Sequence, residues 1–159
     1  MTSLKLIADR IAAITANLPP EVTLVAVSKY ATIEAIRAAY AAGIRNFGES
    51  RVQASLKNMH DLADLKDITW HMIGSLQSNK ARLAVQHFDW IHSVDRLGLA
   101  QKIDRLAVEL GKSPAICLQV KLVPDPHKSG WHEAELIADL PALAECQNLN
   151  IVGLMTILP

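Results

Sequence analysis

The sequence has little of what several function classes require. Its 159 residues carry 16 basic and 16 acidic side chains, so the formal net charge is zero. No overall electrostatic field would therefore attract nucleic acid or an anionic membrane. Aromatic residues make up 4% of the chain, which is too few for a base-stacking platform, and no apolar run approaches the roughly 20 residues that cross a bilayer. We expect a protein that binds neither nucleic acid nor membranes.

Motifs for metals, serine nucleophiles and export are also missing. Cys117 and Cys146 lack the paired spacing of a zinc site, and the six histidines show no metal-ligand spacing. There is no Gly-x-Ser-x-Gly elbow and no glycine-rich P-loop or dinucleotide fingerprint. Lys5, Asp9 and Arg10 interrupt the apolar stretch that a signal peptide would need. We therefore expect a cytoplasmic protein.

What the chain does have is an apolar fraction of 50% and a regular alternation of strand-like and helix-like segments. Apolar spacing predicts a first helix over 3–18, which Pro19 and Pro20 end. The strands are predicted at 22–27, 44–47, 69–73, 88–92, 115–123 and 149–156, with helical spacing after each of the first five. Thr32, Ser50 and Asp95 are the predicted N-caps of three of these helices, and Gly111 is a predicted helix end.

Strands that alternate with helices of this length predict parallel pairing and an α/β fold, because parallel neighbours need a long return connection. The strands recur about every 25 residues, which favours a barrel over an open sheet. A (β/α)₈ barrel needs eight strands and usually about 250 residues. Six strands in 159 residues therefore predict either an open sheet or an incomplete barrel.

Residues just after each strand are the candidate site residues, because ligands in parallel α/β folds bind at the carboxyl ends of the strands. Lys29 follows the first strand, and a partly desolvated lysine amine can form a Schiff base with a carbonyl compound. A solvated lysine at a strand end is the alternative that the spacing leaves open. Ser50 follows the second strand, where it either caps a helix or faces an anionic ligand.

Later strands add weaker signals. The small and polar residues of 70–80 open a helix and are suited to holding a phosphate. In the fifth strand, Cys117, Gln119 and Lys121 share one face, which either points into a barrel or forms the wet face of an edge strand. The turn-rich loop 124–130 is a candidate lid.

Six segments together resemble one known family, the pyridoxal-phosphate homeostasis proteins, also called the proline-synthase co-transcribed or alanine-racemase-like N-terminal family. The stretch 70–80 is quite specific. In chain order the segments are LVAVSK at 24–29, NFGES at 46–50, WHMIGSLQSNK at 70–80, FDWIHSVDR at 88–96, HKSG at 127–130 and GLMTI at 153–157.

The resemblance implies a fold, a cofactor and a set of site residues. The implied fold is an alanine-racemase-like (β/α)₈ TIM barrel, here truncated after the sixth strand, with 1–159 as a single incomplete domain. The implied cofactor is pyridoxal 5′-phosphate (PLP), held as a Schiff base on Lys29. Ser50, His71, Met155 and Thr156 are then expected on the cofactor side of the barrel.

The resemblance also implies a biological role. Family members look like monomeric carriers or regulators of the vitamin B6 pool that affect amino-acid and keto-acid balance, without established catalytic activity. PLP-dependent apoenzymes are the implied partners. Two alternatives stay open: a PLP-dependent racemase or decarboxylase of the same barrel type, and a truncated barrel that acts only through protein contacts.

The sequence departs from the family pattern at three places. Ser50 replaces the usual asparagine of FGEN, and Lys121 replaces an asparagine at the end of the fifth strand. The serine-rich and arginine-glycine motifs of the seventh and eighth strands, which normally supply the phosphate cup, do not occur in these 159 residues. Because a phosphate needs converging donors, we predict weak PLP retention. We also predict unpaired sheet edges beside the first and sixth strands, which favour self-association.

Overall fold

The computed structural model of this chain describes residues 3–123, 125 and 127–158. Its strands are β1 (Ala26–Val27), β2 (Asn46–Glu49), β3 (Thr69–Met72), β4 (Trp90–Val94), β5 (Ala115–Gln119) and β6 (Asn150–Met155). Its helices are α1 (Ser3–Thr15), α2 (Ile33–Ala41), α3 (Val52–Asp61), α4 (Ala81–His87), α5 (Leu97–Leu110) and α6 (Glu133–Ala144), with a 3₁₀ turn at Ser78–Lys80 before α4.

The six described strands form one parallel sheet in the order β1-β2-β3-β4-β5-β6. A sheet in which every strand pairs with its neighbour in the chain is the wall of a (β/α) barrel, since a doubly wound sheet reverses its strand order. The predicted α/β class with parallel strands is confirmed. Within the described residues, β1 and β6 each pair with a strand on one side only.

One face of the sheet packs against the helices and forms the core. Ile91, Ile116 and Leu118 from β4 and β5 lie in the same buried cluster as Leu99 and Ile103 from α5. Burying each such side chain contributes about 1.5–3 kcal/mol. A second cluster, which contains Ile36, Ala39, Ile44, Phe47 and Leu62, joins β2 to α2.

The other face, which we call the inner face, carries smaller and more polar residues. Side chains alternate along a strand, and residues that pair across parallel strands point to the same side. Gly48 pairs with His71, and His71 pairs with Trp90, so these three share the inner face. Cys117 and Gln119 lie on it too, because they alternate with the core residues of β5. This confirms the predicted alternation of the fifth strand as far as Gln119, where the strand ends before Lys121.

Some predicted boundaries are wrong by a few residues. Helix α1 ends at Thr15 and not at 18. Asn17 donates its side-chain amide to the Ala13 carbonyl at 2.7 Å and so competes with the helix, and Leu18 precedes a proline, which disfavours helical backbone. The fifth strand ends at Gln119, after which Val120 makes an isolated bridge to Trp131.

Two of the three predicted N-caps are also wrong. Thr32 does cap α2, because its hydroxyl accepts from the Ala35 amide at 3.2 Å. Ser50 and Asp95, however, precede the residues that cap α3 and α5, which are Arg51 and Arg96. The reason is that β2 and β4 each run two residues further than predicted, which moves the helix starts along the chain.

Other predictions have mixed outcomes. Gly111 ends α5 with a φ of 60°, as predicted. Pro124 and Pro126 of the candidate lid lie outside the described residues. Across the residues that the structure describes, no group of three or more histidine, cysteine or acidic side chains is arranged to hold a metal ion. The same part of the chain contains no helix that is both long and apolar enough to cross a membrane.

Candidate functional site

Lys29 lies at the carboxyl end of β1 with an exposed side chain. It sits in a four-residue turn, since the Ala31 amide donates to the Ser28 carbonyl at 2.9 Å. Ser28 is buried, and its hydroxyl donates to the Glu49 carboxylate at 2.8 Å. Its amide also donates to the Gly48 carbonyl at 2.9 Å. The Lys29 amine is therefore exposed on a backbone turn that hydrogen bonds from Ser28 to β2 hold in place.

Ser50 lies beside Lys29 in strand order, at the carboxyl end of β2. It lines a cavity of about 490 Å³ together with Arg51, Gln77 and Lys80. The segment 70–80, whose residues are suited to a phosphate, thus contributes to a cavity with two cationic side chains. The Ser50 side chain is half-buried and makes no N-cap bond to α3, so its predicted role as a cap is not the one that the structure shows.

The carboxyl ends of the strands form one edge of the sheet, which we call the rim. Gly74 explains why the ends of β2 and β3 can meet there. A Cβ atom added to Gly74 would lie 2.2 Å from the carbonyl oxygen of Ser50, far inside contact distance. The Ser93 hydroxyl donates to the Gly74 carbonyl at 2.6 Å and ties the same point to β4. A residue with a side chain would push these loops apart.

His71 is buried on the inner face, with both ring nitrogens in use. Its Nε2 lies 2.9 Å from Asn46 Oδ1, and its Nδ1 lies 2.9 Å from His92 Nε2. Because the amide oxygen only accepts, His71 Nε2 carries the proton and its Nδ1 accepts from His92. The Trp90 ring stacks on both imidazoles, with centroids 5.6 Å from each.

Burial, with a smaller contribution from charge repulsion by the neighbouring His92, lowers the pKa of His71 to about 4. The pKa of His92 is also lowered by burial. Both rings are therefore neutral at pH 7. Sequence reasoning singled out His71 but missed Asn46 and His92. The available signal was their position: Asn46 is two residues before Gly48, and His92 two after Trp90, on strands whose alternation puts all of them on one face.

The histidine pair should make stability depend on pH. The unfolded chain takes up protons as the pH falls below about 6.5, whereas the buried His71 ring resists protonation until about pH 4. We expect the free energy of unfolding to fall over that window, with a loss on the order of 3 kcal/mol from His71. Urea unfolding at several pH values between 8 and 4 measures it.

A matched pair of variants isolates the effect. His71→Gln should flatten the pH dependence, because glutamine has no proton to gain. His60→Gln should leave it unchanged, since the His60 side chain is 88% exposed. Equal slopes in His71→Gln and the parent protein would contradict the assignment.

Met155 and Thr156 lie at the carboxyl end of β6, where Met155 pairs with Gln119 of β5. Thr156 is exposed and lines a small pocket that also contains Lys121 and Lys128. The structure therefore brings four of the five predicted site residues together in two groups, Lys29 with Ser50 and Met155 with Thr156, whereas His71 lies on the inner face of β3. β1 and β6 are the first and last strands of the sheet, so the two groups lie at opposite ends of the strand order.

Comparison with known proteins shows which family the chain belongs to. The family model described as alanine racemase, N-terminal domain, matches residues 2–159. A pyridoxal phosphate homeostasis protein of Synechocystis sp. is 58% identical over 146 residues, which are 92% of this chain and 67% of the relative. The chain belongs to the pyridoxal phosphate homeostasis protein family. The resemblance drawn from the six motifs is confirmed.

Further relatives support the membership and show its extent. The pyridoxal phosphate homeostasis protein of Pseudomonas aeruginosa is 44% identical over 140 residues, and this chain spans 60% of its length. The structure of PipY from Synechococcus elongatus without PLP superposes with a TM-score of 0.93 at 58% identity, covering 96% of this chain and 71% of PipY. The PipY structure with PLP bound gives a TM-score of 0.91.

Proposed function

We propose that this chain is a non-catalytic PLP-binding protein that serves vitamin B6 homeostasis and amino-acid and keto-acid balance. The observation that carries the proposal is the exposed Lys29 amine, which stands at the carboxyl end of β1 on a turn anchored by the Ser28–Glu49 hydrogen bond. Two relatives support the choice of cofactor. PipY has been solved with PLP bound, and the Synechocystis protein is named for PLP homeostasis.

The residues present fit this cofactor on its aldehyde side. PLP supplies an aldehyde, and Lys29 would hold it as a Schiff base because its amine is exposed at the rim. Ser50, Met155 and Thr156 belong to the same carboxyl rim and are proposed as further contacts. His71 would contribute as part of the wall, since both its ring nitrogens are bonded to Asn46 and His92.

Fewer of the residues that a phosphate site needs are present for the phosphate group of PLP. Phosphate sites use converging backbone donors and usually an arginine. The two motifs that the family resemblance implies for this purpose do not occur in the 159 residues. We therefore propose that residues 1–159 by themselves form the Schiff base but hold the phosphate weakly. We also propose that residues 1–159 form a single, incomplete PLP-binding barrel domain, that the protein is cytoplasmic, and that PLP-dependent apoenzymes are its partners.

Titration with PLP tests the proposal. We expect an absorption band of the Schiff base that borohydride reduces to a stable adduct, found on Lys29 by peptide mass spectrometry. The Synechocystis protein, of which this chain covers 67%, is the comparison, and its band should survive dialysis longer. If this chain gives no band under conditions where the relative does, the carrier role is wrong for it. Turnover of an amino acid would favour the enzyme alternative.

A further inference from the structure

Tyr30, the residue after Lys29, has an unusual backbone conformation. Its φ is 65°, and among the described residues it is the one residue other than glycine with a positive φ. This region favours glycine, because a Cβ atom there crowds the backbone, at a cost on the order of 1 kcal/mol. Something in the surroundings must hold Tyr30 in place.

The turn that carries Lys29 requires this conformation. With the Ala31 amide bonded to the Ser28 carbonyl, Lys29 and Tyr30 are the two central residues. A positive φ at the second central residue is the signature of a type II turn, where glycine is the usual choice. Both flanks of the turn are fixed: Ser28 is bonded to Glu49, and Thr32 caps α2. The Lys29 backbone is thus set from both sides.

Burial does not explain the choice of tyrosine. The Tyr30 side chain is 83% exposed, so it gains little from the hydrophobic effect. The ring instead makes an electrostatic contact: the guanidinium carbon of Arg51 lies 5.8 Å from the centre of the ring. Such cation–π pairs contribute about 0.5–1 kcal/mol at exposed sites, which is comparable to the backbone cost. Arg51 stands at the start of α3, so the contact links the ends of β1 and β2.

We propose that Tyr30 is a positioning residue for Lys29. Its left-handed backbone, held by the ring's contact with Arg51, keeps the turn in one conformation and so presents the lysine amine in one direction. A glycine would allow the same turn but many others as well. The inference rests on the proposed function, because it assumes that Lys29 is the amine that reacts with PLP.

Labelling rates test the proposal. The purified 159-residue chain is treated with PLP and cyanoborohydride, and the rate of adduct formation at Lys29 is measured by peptide mass spectrometry. We expect Tyr30→Gly to label about threefold to tenfold more slowly, since the turn loses its preorganisation. Tyr30→Asn should lie between the two, because asparagine tolerates the left-handed region but lacks the ring. Arg51→Gln should also label more slowly than the parent.

Further measurements distinguish a positioning role of Tyr30 from an effect on folding and from failure of the proposed function. The helical circular dichroism and the unfolding midpoint should be nearly the same in all these proteins. Tyr40→Phe, a change at the α2 tyrosine that bonds Asp67, should label like the parent chain. Parental labelling by both Tyr30 variants, or losses that merely follow unfolding, would overturn the role of Tyr30. Absence of any Lys29 adduct in the parent chain would instead reject the proposed function.

Discussion

Replacing Lys29 with alanine is expected to abolish the borohydride-stable PLP adduct, which is the largest functional effect we predict. Lys29 offers an exposed amine that makes no hydrogen bond within the part of the chain that the structure describes. By contrast, the Lys128 amine donates to the carbonyls of Ile157 and Leu158 at 3.2 and 3.1 Å and forms an ion pair with Asp125 at 3.3 Å. An amine held in this way is less available to an aldehyde.

Lys121 provides the matched control for this prediction. It is half-buried at the carboxyl end of β5, and it is the residue that departs from the family pattern there. Lys121→Ala should keep the adduct on Lys29, with its mass and its position in the peptide map unchanged. The Lys29→Ala chain should remain folded, because the side chain removed is exposed. An adduct of equal yield in Lys29→Ala would show that another lysine holds PLP.

The sequence predicted the order of the fold better than its details. Local apolar spacing in the sequence shows which segments are strands and which are helices buried on one face. Their alternation was therefore enough to predict the parallel sheet. The ends of β2 and β4 were predicted two residues too early. Those ends depend on pairing with neighbouring strands, as in the Glu49 carbonyl that accepts from the Ile73 amide at 2.9 Å. Such long-range bonds leave no periodic signal in the sequence.

The candidate site also has a part that the sequence could predict and a part that it could not. Lys29 could be found because a strand end is a local feature and the motif around it is specific. Strand alternation could place His71, His92 and Asn46 on one face, but it could not show their pairing, because the pairing joins three strands through side chains 21 and 25 residues apart. Tyr30 carries no signal of its own, since nothing in the letters Lys-Tyr-Ala shows a positive φ. These features follow from tertiary contacts rather than from propensity.

Gly74 links the motif to the geometry of the rim. It lies in the stretch 70–80, which resembles the family quite specifically, yet that resemblance does not say why a glycine stands there. The structure does: the Ser50 carbonyl oxygen, Cα and carbonyl carbon lie 2.2, 2.7 and 2.8 Å from where a Cβ would be. All three are backbone atoms, so no side chain can rotate away to make room.

Gly74→Ala should therefore be strongly destabilising. We expect the free energy of unfolding to fall on the order of 3 kcal/mol, because the ends of β2 and β3 must separate and the Ser93–Gly74 hydrogen bond must stretch. The variant should also label more slowly at Lys29, since Ser28 and its turn are bonded to the same end of β2. Urea unfolding followed by circular dichroism measures the first effect, and the cyanoborohydride assay measures the second.

Gly98→Ala is the matched control, because it makes the same chemical change where the structure has room. A Cβ on Gly98 meets nothing within 4 Å, and the residue lies near the start of α5. Alanine favours a helix over glycine by up to about 1 kcal/mol, so this variant should be as stable as the parent or slightly more so. Opposite signs for the two substitutions would show that close approach at the rim, and not loss of glycine as such, governs Gly74. Similar effects at the two positions would contradict that explanation.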